Sequence, residues 1–257
     1  VDVEILTGKP NYPNGKIFKG YSRFKIENEQ YNNSKIYRIP IVPRFNGNSF
    51  FLFLNYISFI LSGLVCSPFI LFKKKYDNIL VFASSPLLQA FIGVFLKKLF
   101  KIKLTVWVQD LWPHSLKATG HIQNRFLLSI VNFFVKYIYK NSNLILVQSN
   151  SFINEIEKYK LNTKIKYIPN PSEIFSVNEK SNIKFDQNKF NIVYAGNIGT
   201  VQSLETIVEA ANLLKNNLRI QFHIIGNGKN LKKIKKIIID KKIYNIRTYG
   251  QIENIYI

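Results

Sequence analysis

The stretch that decides the fold is Phe190-Asn191-Ile192-Val193-Tyr194-Ala195-Gly196-Asn197-Ile198-Gly199. Its first six residues are largely β-branched and aromatic, which favours a strand, and the glycines that follow favour a tight turn. A helix is expected next, because apolar residues recur at helical spacing at Leu204, Ile207, Val208, Ala211 and Leu214. This order of strand, glycine loop and helix is typical of an α/β unit.

The pattern repeats directly downstream. Residues 219–225 favour a second strand that ends in Gly226-Asn227-Gly228, ahead of a basic helix at 229–240 and a short strand at 246–249. Parallel strands open at one sheet edge, where helix N-termini and glycine backbone can approach a phosphate. The two loops therefore predict a phosphate site, although glycines used only for tight turns would give the same sequence.

A larger set of alternating elements precedes this unit. Strands are predicted at 3–7, 35–40, 78–83, 103–108, 143–147 and 164–168, with helices at about 50–72, 86–100, 122–140 and 150–160. Pro169-Asn170-Pro171-Ser172 and the polar residues up to 188 interrupt the pattern. We therefore expect a first domain at 1–172, a linker at 173–188 and a second domain at 189–257.

The charge of the chain is strongly positive. It carries 36 Lys and Arg against 15 Asp and Glu, a formal net charge of +21 over 257 residues. Such a surface attracts nucleic acid, anionic lipid or nucleotide diphosphate. Paired Cys/His ligands and an aromatic RNA-binding strand are both missing, so a nucleic-acid binder is the least favoured hypothesis. The single cysteine, Cys66, suits a reducing compartment.

One segment is long enough to meet a membrane. Residues 45–72 contain no charged side chain, and Arg44 and Lys73-Lys74-Lys75 flank them. A transmembrane span is one interpretation by length. Polar residues, Pro68 and the position between two strands favour a helix that lies on the bilayer or dips into it.

The second candidate site is Trp107-Val108-Gln109-Asp110-Leu111-Trp112-Pro113-His114-Ser115. It begins in a predicted buried strand and runs past the carboxyl end, where reactive groups of α/β sheets lie. Asp110 and His114 offer a carboxylate and an imidazole, and Trp112 offers a face on which a sugar could stack. A structural alternative is that Asp110 caps a turn and Trp112 belongs to the core.

Three ordered motifs carry a resemblance to a known family: residues 7–16, residues 109–113, and Gly196-Asn197-Ile198-Gly199-Thr200-Val201-Gln202-Ser203-Leu204. Together they resemble family-4 glycosyltransferases of O-antigen and capsule assembly, a subgroup that includes N-acetylfucosamine-type transferases. The resemblance implies an α/β fold of the GT-B type, with two Rossmann-like domains and parallel sheets. The first domain would bind the acceptor and the second the donor.

The resemblance also implies the reaction. A sugar would move from a nucleotide-sugar, expected to be UDP-linked, to a lipid-linked saccharide with retention and without a metal ion. Asp110 and His114 are the implied catalytic candidates. The donor would be bound at Gly196, Asn197, Gly199, Gln202, Gly226 and Gly228. No cofactor is expected beyond this co-substrate, and the expected location is the cytoplasmic face of the bacterial inner membrane, peripheral or monotopic.

The sequence departs from the family in several places. Relatives carry an additional first strand and, later, a Glu-x7-Glu segment that grips the donor, and this chain also contains no methionine. We therefore expect a fragment that lacks both termini, with an incomplete second sheet. Asn197 and Gln202 replace a common Arg and Lys, and Gln109 replaces a common His. A catalytically inactive remnant or a membrane-surface binding protein is the alternative.

Overall fold

The computed structural model describes residues 2–12, 15–45, 47–72, 74–118, 122–172, 183–199 and 202–252. The chain divides into two compact units, unit 1 at Val1–Asn170 and unit 2 at Pro171–Ile257. The interdomain linker predicted at 173–188 lies largely outside the described residues, which resume at 183.

Unit 1 contains two sheets. In the first, β1 (Glu4–Gly8) pairs in parallel with β3 (Ser34–Ile39), and β2 (Glu27–Tyr31) pairs antiparallel with β3. In the second, four parallel strands follow one another in chain order: β4 (Asn78–Ala83), β5 (Lys103–Val108), β6 (Leu144–Val147) and β7 (Lys164–Tyr167). Strands joined through helices in this way place their carboxyl ends at one edge.

The helices of unit 1 are α1 (Ser49–Leu71), α2 (Ala90–Phe100), α3 (His114–Ala118), α4 (Arg125–Asn141) and α5 (Asn150–Glu157). Asn48 and Asn124 cap α1 and α4 by accepting hydrogen bonds from free N–H groups of the first turn. Strand β5 is the centre of the core, where Val106 and Val108 are fully buried together with Ile138 of α4. The run of apolar residues on β5 is thus explained by its central position.

Unit 2 is a three-stranded parallel sheet. Its strands are β8 (Phe190–Ala195), β9 (Ile220–Ile225) and β10 (Ile246–Gly250), with β9 in the middle. Helices α6 (Glu205–Leu213) and α7 (Leu231–Asp240) connect them. The core contains Val208 of α6, Ile234 of α7, and Phe222 and Ile224 of β9.

Two elements were not expected from the sequence. Strand β2 contains Glu27-Asn28-Glu29-Gln30-Tyr31, which has no apolar face of its own and forms because it turns back on β3 through Asn32, at a positive φ of 48°. Helix α3 is a single short turn of five residues. Both depend on neighbours rather than on local periodicity.

A buried histidine fixes the sheet of unit 2. Nδ1 of His223 is 2.8 Å from the Tyr249 hydroxyl, and Nε2 is 2.8 Å from Oδ1 of Asn191. The amide nitrogen of Asn191 donates to two backbone carbonyls, so its oxygen faces the ring and Nε2 carries the hydrogen. Burial, and then the charge of Arg247, lower the pKa of His223 below its ordinary value of 6.5.

This pKa shift predicts a pH-dependent stability of unit 2. Between the lowered pKa and the ordinary one, the unfolded chain binds a proton that the folded chain does not, so stability falls as the pH falls below the ordinary value. From about pH 7.5 to about pH 5, the amide protection factors in β8–β10, which are intrinsic exchange rates divided by the observed rates at each pH, are expected to fall in the wild type and less in His223→Gln. Exposed His114→Gln is the control and should behave like the wild type. An equal fall of the protection factors in all three proteins would contradict the assignment.

Candidate functional site

The two glycine loops of unit 2 are joined to each other at the carboxyl ends of β8 and β9. The backbone N–H of Gly196 donates to the Ile225 carbonyl at 3.0 Å, and that of Ile198 donates to the Asn227 carbonyl at 2.8 Å. The N–H of Asn230 returns a hydrogen bond to Ile198 at 3.0 Å. The loops therefore form one fixed surface at the sheet edge.

Glycine is required where the loops approach each other. A Cβ on Gly226, whose φ is +138°, would lie 1.8 Å from the Gly196 carbonyl oxygen. A Cβ on Gly228 would lie 2.3 Å from the carbonyl oxygen of Ile198. A real Cβ cannot come this close, so a side chain at either position would separate the loops.

The remaining donor-side residues from the sequence analysis lie on the same surface. Asn197 and Gln202 are exposed, and the Gln202 side chain accepts a hydrogen bond from the N–H of Gly199 at 3.1 Å. The Tyr194 hydroxyl donates to the carbonyl of Asn197 at 2.7 Å, which fixes the loop from the other side. Residues 200 and 201 of the motif lie outside the described residues.

The electrostatics around these loops suit an anion. Helices α6 and α7 both begin just after the loops, so their positive dipole ends lie there. Lys233 of α7 pairs with Glu205 of α6 at 2.9 Å, and this hydrogen bond lowers the pKa of Glu205. Lys229 is exposed directly after Gly228. The N-terminal ends of the two helices and Lys229 can therefore attract a phosphate to this surface.

In unit 1, the segment after β5 is held at the carboxyl edge of the four-stranded sheet. The N–H of Gln109 donates to the Ala83 carbonyl at 3.1 Å, and the Gln148 amide donates to the Gln109 carbonyl at 2.6 Å. Asn170 donates in turn to Gln148 at 2.8 Å. The ends of β4, β5, β6 and β7 are thus connected through side chains that sequence motifs did not single out.

Asp110 is half-buried just past the carboxyl end of β5. Burial first, then Tyr159 and the charge of Asp110, raise the pKa of the fully buried Tyr139 above its ordinary value. A carboxylate at a strand end suits a proton acceptor or a group that stabilises positive charge.

Trp112 and His114 occupy contrasting surroundings. Trp112 is 7% exposed and belongs to the core of unit 1, which is the structural alternative rather than a stacking surface for a sugar. The side chain of His114 is 64% exposed, and its Nε2 lies 4.0 Å from a carboxylate oxygen of Glu155 on α5. Only Asp110 and His114 therefore remain accessible among the side chains proposed to act here.

Several buried polar atoms of this segment have no hydrogen-bond partner within the described part of the chain. They are Trp107 Nε1, Gln109 Nε2, Trp112 Nε1 and Ser115 Oγ. Buried donors normally find a partner in protein or water. The segment therefore retains hydrogen-bonding capacity beyond that used by the fold.

A second polar cluster, at the end of β1, was missed by sequence reasoning. The side chain of Lys9 is fully buried and pairs with Glu27, which also accepts from the N–H of Ser22 at 2.9 Å. Arg38 pairs with Glu29 at 3.0 Å. The only sequence signal was the motif at 7–16, because the partners lie 9 to 18 residues away from one another.

Among the described residues, no group of three or more His, Cys, Asp and Glu side chains is arranged to hold a metal ion. Helix α1 alone among the described helices is long and apolar enough to cross a membrane, and 11% of its most apolar 18-residue stretch is buried.

Comparison with known proteins gives relatives that are named as glycosyltransferases. No family model matches the chain. The putative colanic acid biosynthesis glycosyl transferase WcaI of Escherichia coli K12 is 23% identical over 262 residues, covering 96% of this chain and 63% of WcaI. The probable glycosyltransferase WbjE of Pseudomonas aeruginosa is 22% identical over 220 residues, covering 82% and 54%. The chain thus spans just over half to about three-fifths of the length of these relatives.

Solved structures agree on the architecture. Sucrose-phosphate synthase from Thermosynechococcus elongatus superimposes with a TM-score of 0.65 at 14% identity, covering 99% of this chain and 61% of that structure. Anabaena HepE in complex with UDP gives 0.59 at 10% identity, covering 99% and 70%. The α/β fold of the GT-B type, with Rossmann-like units and parallel sheets, is therefore confirmed.

Proposed function

We propose that this protein is a glycosyltransferase that moves a sugar from a UDP-linked donor to a lipid-linked saccharide in cell-surface polysaccharide assembly. The observation that carries this proposal is the pair of glycine loops fixed to each other at the strand ends of unit 2. Two relatives named as glycosyltransferases, one of them in colanic acid biosynthesis, support the reaction class. The structural neighbour HepE, which is in complex with UDP, supports the donor class.

The donor would lie on the loop surface of unit 2. Backbone groups at Gly196, Gly199, Gly226 and Gly228 would approach the diphosphate closely, because no side chain stands between them and the ligand. Asn197 and Gln202 are exposed beside them and would add neutral hydrogen bonds in place of cationic side chains. The N-terminal ends of α6 and α7 would supply the positive potential.

Asp110 would act on the acceptor side, as a base for the acceptor hydroxyl or as a stabiliser of positive charge in the transition state. His114 is a second candidate for contact with the acceptor, through its exposed ring.

The proposal also includes membership of family 4 and of its O-antigen and capsule subgroup. The proposed reaction retains the configuration of the sugar and uses neither a metal ion nor a cofactor. The proposed place of work is the cytoplasmic face of the bacterial inner membrane.

Nucleotide calorimetry tests the donor half of this proposal. Purified protein titrated with UDP is expected to give saturable heat, while ADP is expected to bind at least about tenfold more weakly, since base contacts add to the phosphate contacts. Short duplex DNA is the control for non-specific attraction by the positive charge and should bind only at low salt. Absence of heat with UDP and with UDP-sugars would favour the inactive remnant or a membrane-surface binding protein instead.

A further inference from the structure

Helix α1 presents its large apolar side chains outward. Among its residues and its C-terminal cap, six large hydrophobic side chains are 58 to 79% exposed: Phe50, Phe53, Leu61, Val65, Phe69 and Phe72. Their spacing places them along one side of the helix. We call these six residues the outer stripe.

The opposite side of α1 carries the small and polar residues. Asn55, Gly63 and Ser67 are its buried residues. The Asn55 amide donates to the Val42 carbonyl at 2.6 Å and accepts from Nε of Arg44 at 3.3 Å. Gly63 lies against Ile92 of α2, since a Cβ there would be 2.2 Å from the end of the Ile92 side chain.

The distribution of polar and apolar side chains around α1 is the reverse of the one that water favours. A surface helix of a soluble domain turns polar residues to solvent and apolar residues to the core. In α1 and its C-terminal cap, the polar side chains of Asn55 and Ser67 are buried, whereas four aromatic rings are exposed: Phe50, Phe53, Phe69 and Phe72. Such an arrangement is favourable when the medium outside the helix is itself apolar.

The charges beside α1 indicate which apolar medium this is. The uncharged segment 45–72 begins after Arg44, and Lys74 and Lys75 are exposed beyond its end. Lys74 also pairs with Glu4 at 2.7 Å, which anchors this end of the segment to unit 1. Cations at both ends of an apolar helix complement anionic lipid headgroups.

A second helix shows the same property. Helix α4 exposes Phe126, Leu127, Ile130 and Phe133, and its exposed lysines Lys136 and Lys140 follow toward the C-terminal end. Helix α2 packs against both α1 and α4, and Phe91 of α2 contacts Phe134 of α4 with ring centroids 5.5 Å apart. Helix α1, which carries the outer stripe, thus belongs to a group of three packed helices.

We propose that α1 lies in the plane of a bilayer interface, with the outer stripe among the acyl chains and the flanking cations on anionic headgroups. It lies in the plane and does not cross the bilayer, because its buried side, at Asn55, Gly63 and Ser67, packs along the body of unit 1. Crossing would carry the sheets into the hydrocarbon. Membrane binding is measured without donor or acceptor, so this proposal can fail independently of the proposed sugar transfer.

Vesicle flotation of the purified protein tests the inference. Wild-type protein is expected to float with vesicles of equal parts phosphatidylethanolamine and phosphatidylglycerol, and less with phosphatidylcholine alone. The triple variant Phe53→Ser, Leu61→Ser, Val65→Ser should lose at least about tenfold in vesicle partitioning. Its matched control, Leu213→Ser, Leu218→Ser, Tyr244→Ser, removes three hydrophobic residues of unit 2 that are even more exposed, and it should float like the wild type.

Three outcomes would overturn the proposal. Equal flotation of the two triple variants would show that the outer stripe is not the contact. Wild-type protein that ignores vesicles but is dimeric by light scattering, and monomeric in the stripe variant, would show that a second copy covers the stripe. Vesicle-bound protein that resists alkaline carbonate extraction would show that α1 spans the bilayer.

Discussion

Asp110→Asn is expected to lower kcat for sugar transfer by roughly 100- to 10,000-fold, the range lost when a positioned acid–base group is removed. The substitution keeps the size of the side chain and its place after β5, but removes the negative charge at this strand end. Affinity for UDP should be unchanged, because the donor loops belong to unit 2.

The control is Asp77→Asn. Asp77 is exposed just before β4, at the amino end of the strand and hence at the opposite edge of the sheet from Asp110. Both variants should unfold like the wild type when tryptophan fluorescence is followed, because Trp107 and Trp112 report on unit 1. A kcat of Asp110→Asn within twofold of the wild type would remove Asp110 from the catalytic site.

Gly226→Ala is expected to destabilise unit 2 and to abolish UDP binding. The added Cβ would combine a strained backbone conformation with a contact of 1.8 Å to the Gly196 carbonyl oxygen. Each of these costs about 1–3 kcal/mol, so the free energy of unfolding should fall by about 2–6 kcal/mol. Amide exchange of β8 and β9 measures this loss, since unit 2 contains no tryptophan.

Gly250→Ala separates the two causes. Gly250 also has a positive φ, +79°, but a Cβ there would meet no atom within 4 Å. Its cost should be about 1 kcal/mol, from the backbone conformation alone, and UDP binding should survive. Equal losses in the two variants would show that close approach of the loops is not what requires glycine at 226.

Local periodicity predicted most of the fold, for a physical reason. Strands such as β5 and β9 are central in their sheets and are therefore mostly apolar, and the glycine turn after β9 is visible in the sequence. Strand β2 escaped prediction because its polar residues are stabilised by Lys9, just after β1, and by Arg38 of β3. Pairing across 9 to 18 residues leaves no local signature.

The candidate sites were predictable to a lesser degree. Sequence placed Gly196, Gly226 and Gly228 at strand ends, but not the close backbone contacts that explain them. The sequence allowed Trp112 to be either a sugar-stacking residue or a core residue, and the structure shows that it packs in the core of unit 1. The lack of charged residues in α1 is visible in the sequence, whereas the burial of Asn55 is visible only in the folded unit.

Transfer itself is the most direct measurement of the central claim. Purified protein is incubated with membranes that contain lipid-linked saccharide and with radiolabelled UDP-sugars, and label in the lipid fraction is followed over time. The account predicts protein-dependent label that survives chelation of metal ions and is lost in Asp110→Asn. Saturable UDP binding without any label in the lipid fraction, whichever UDP-sugar is supplied, would contradict a transferase and leave a donor-binding protein.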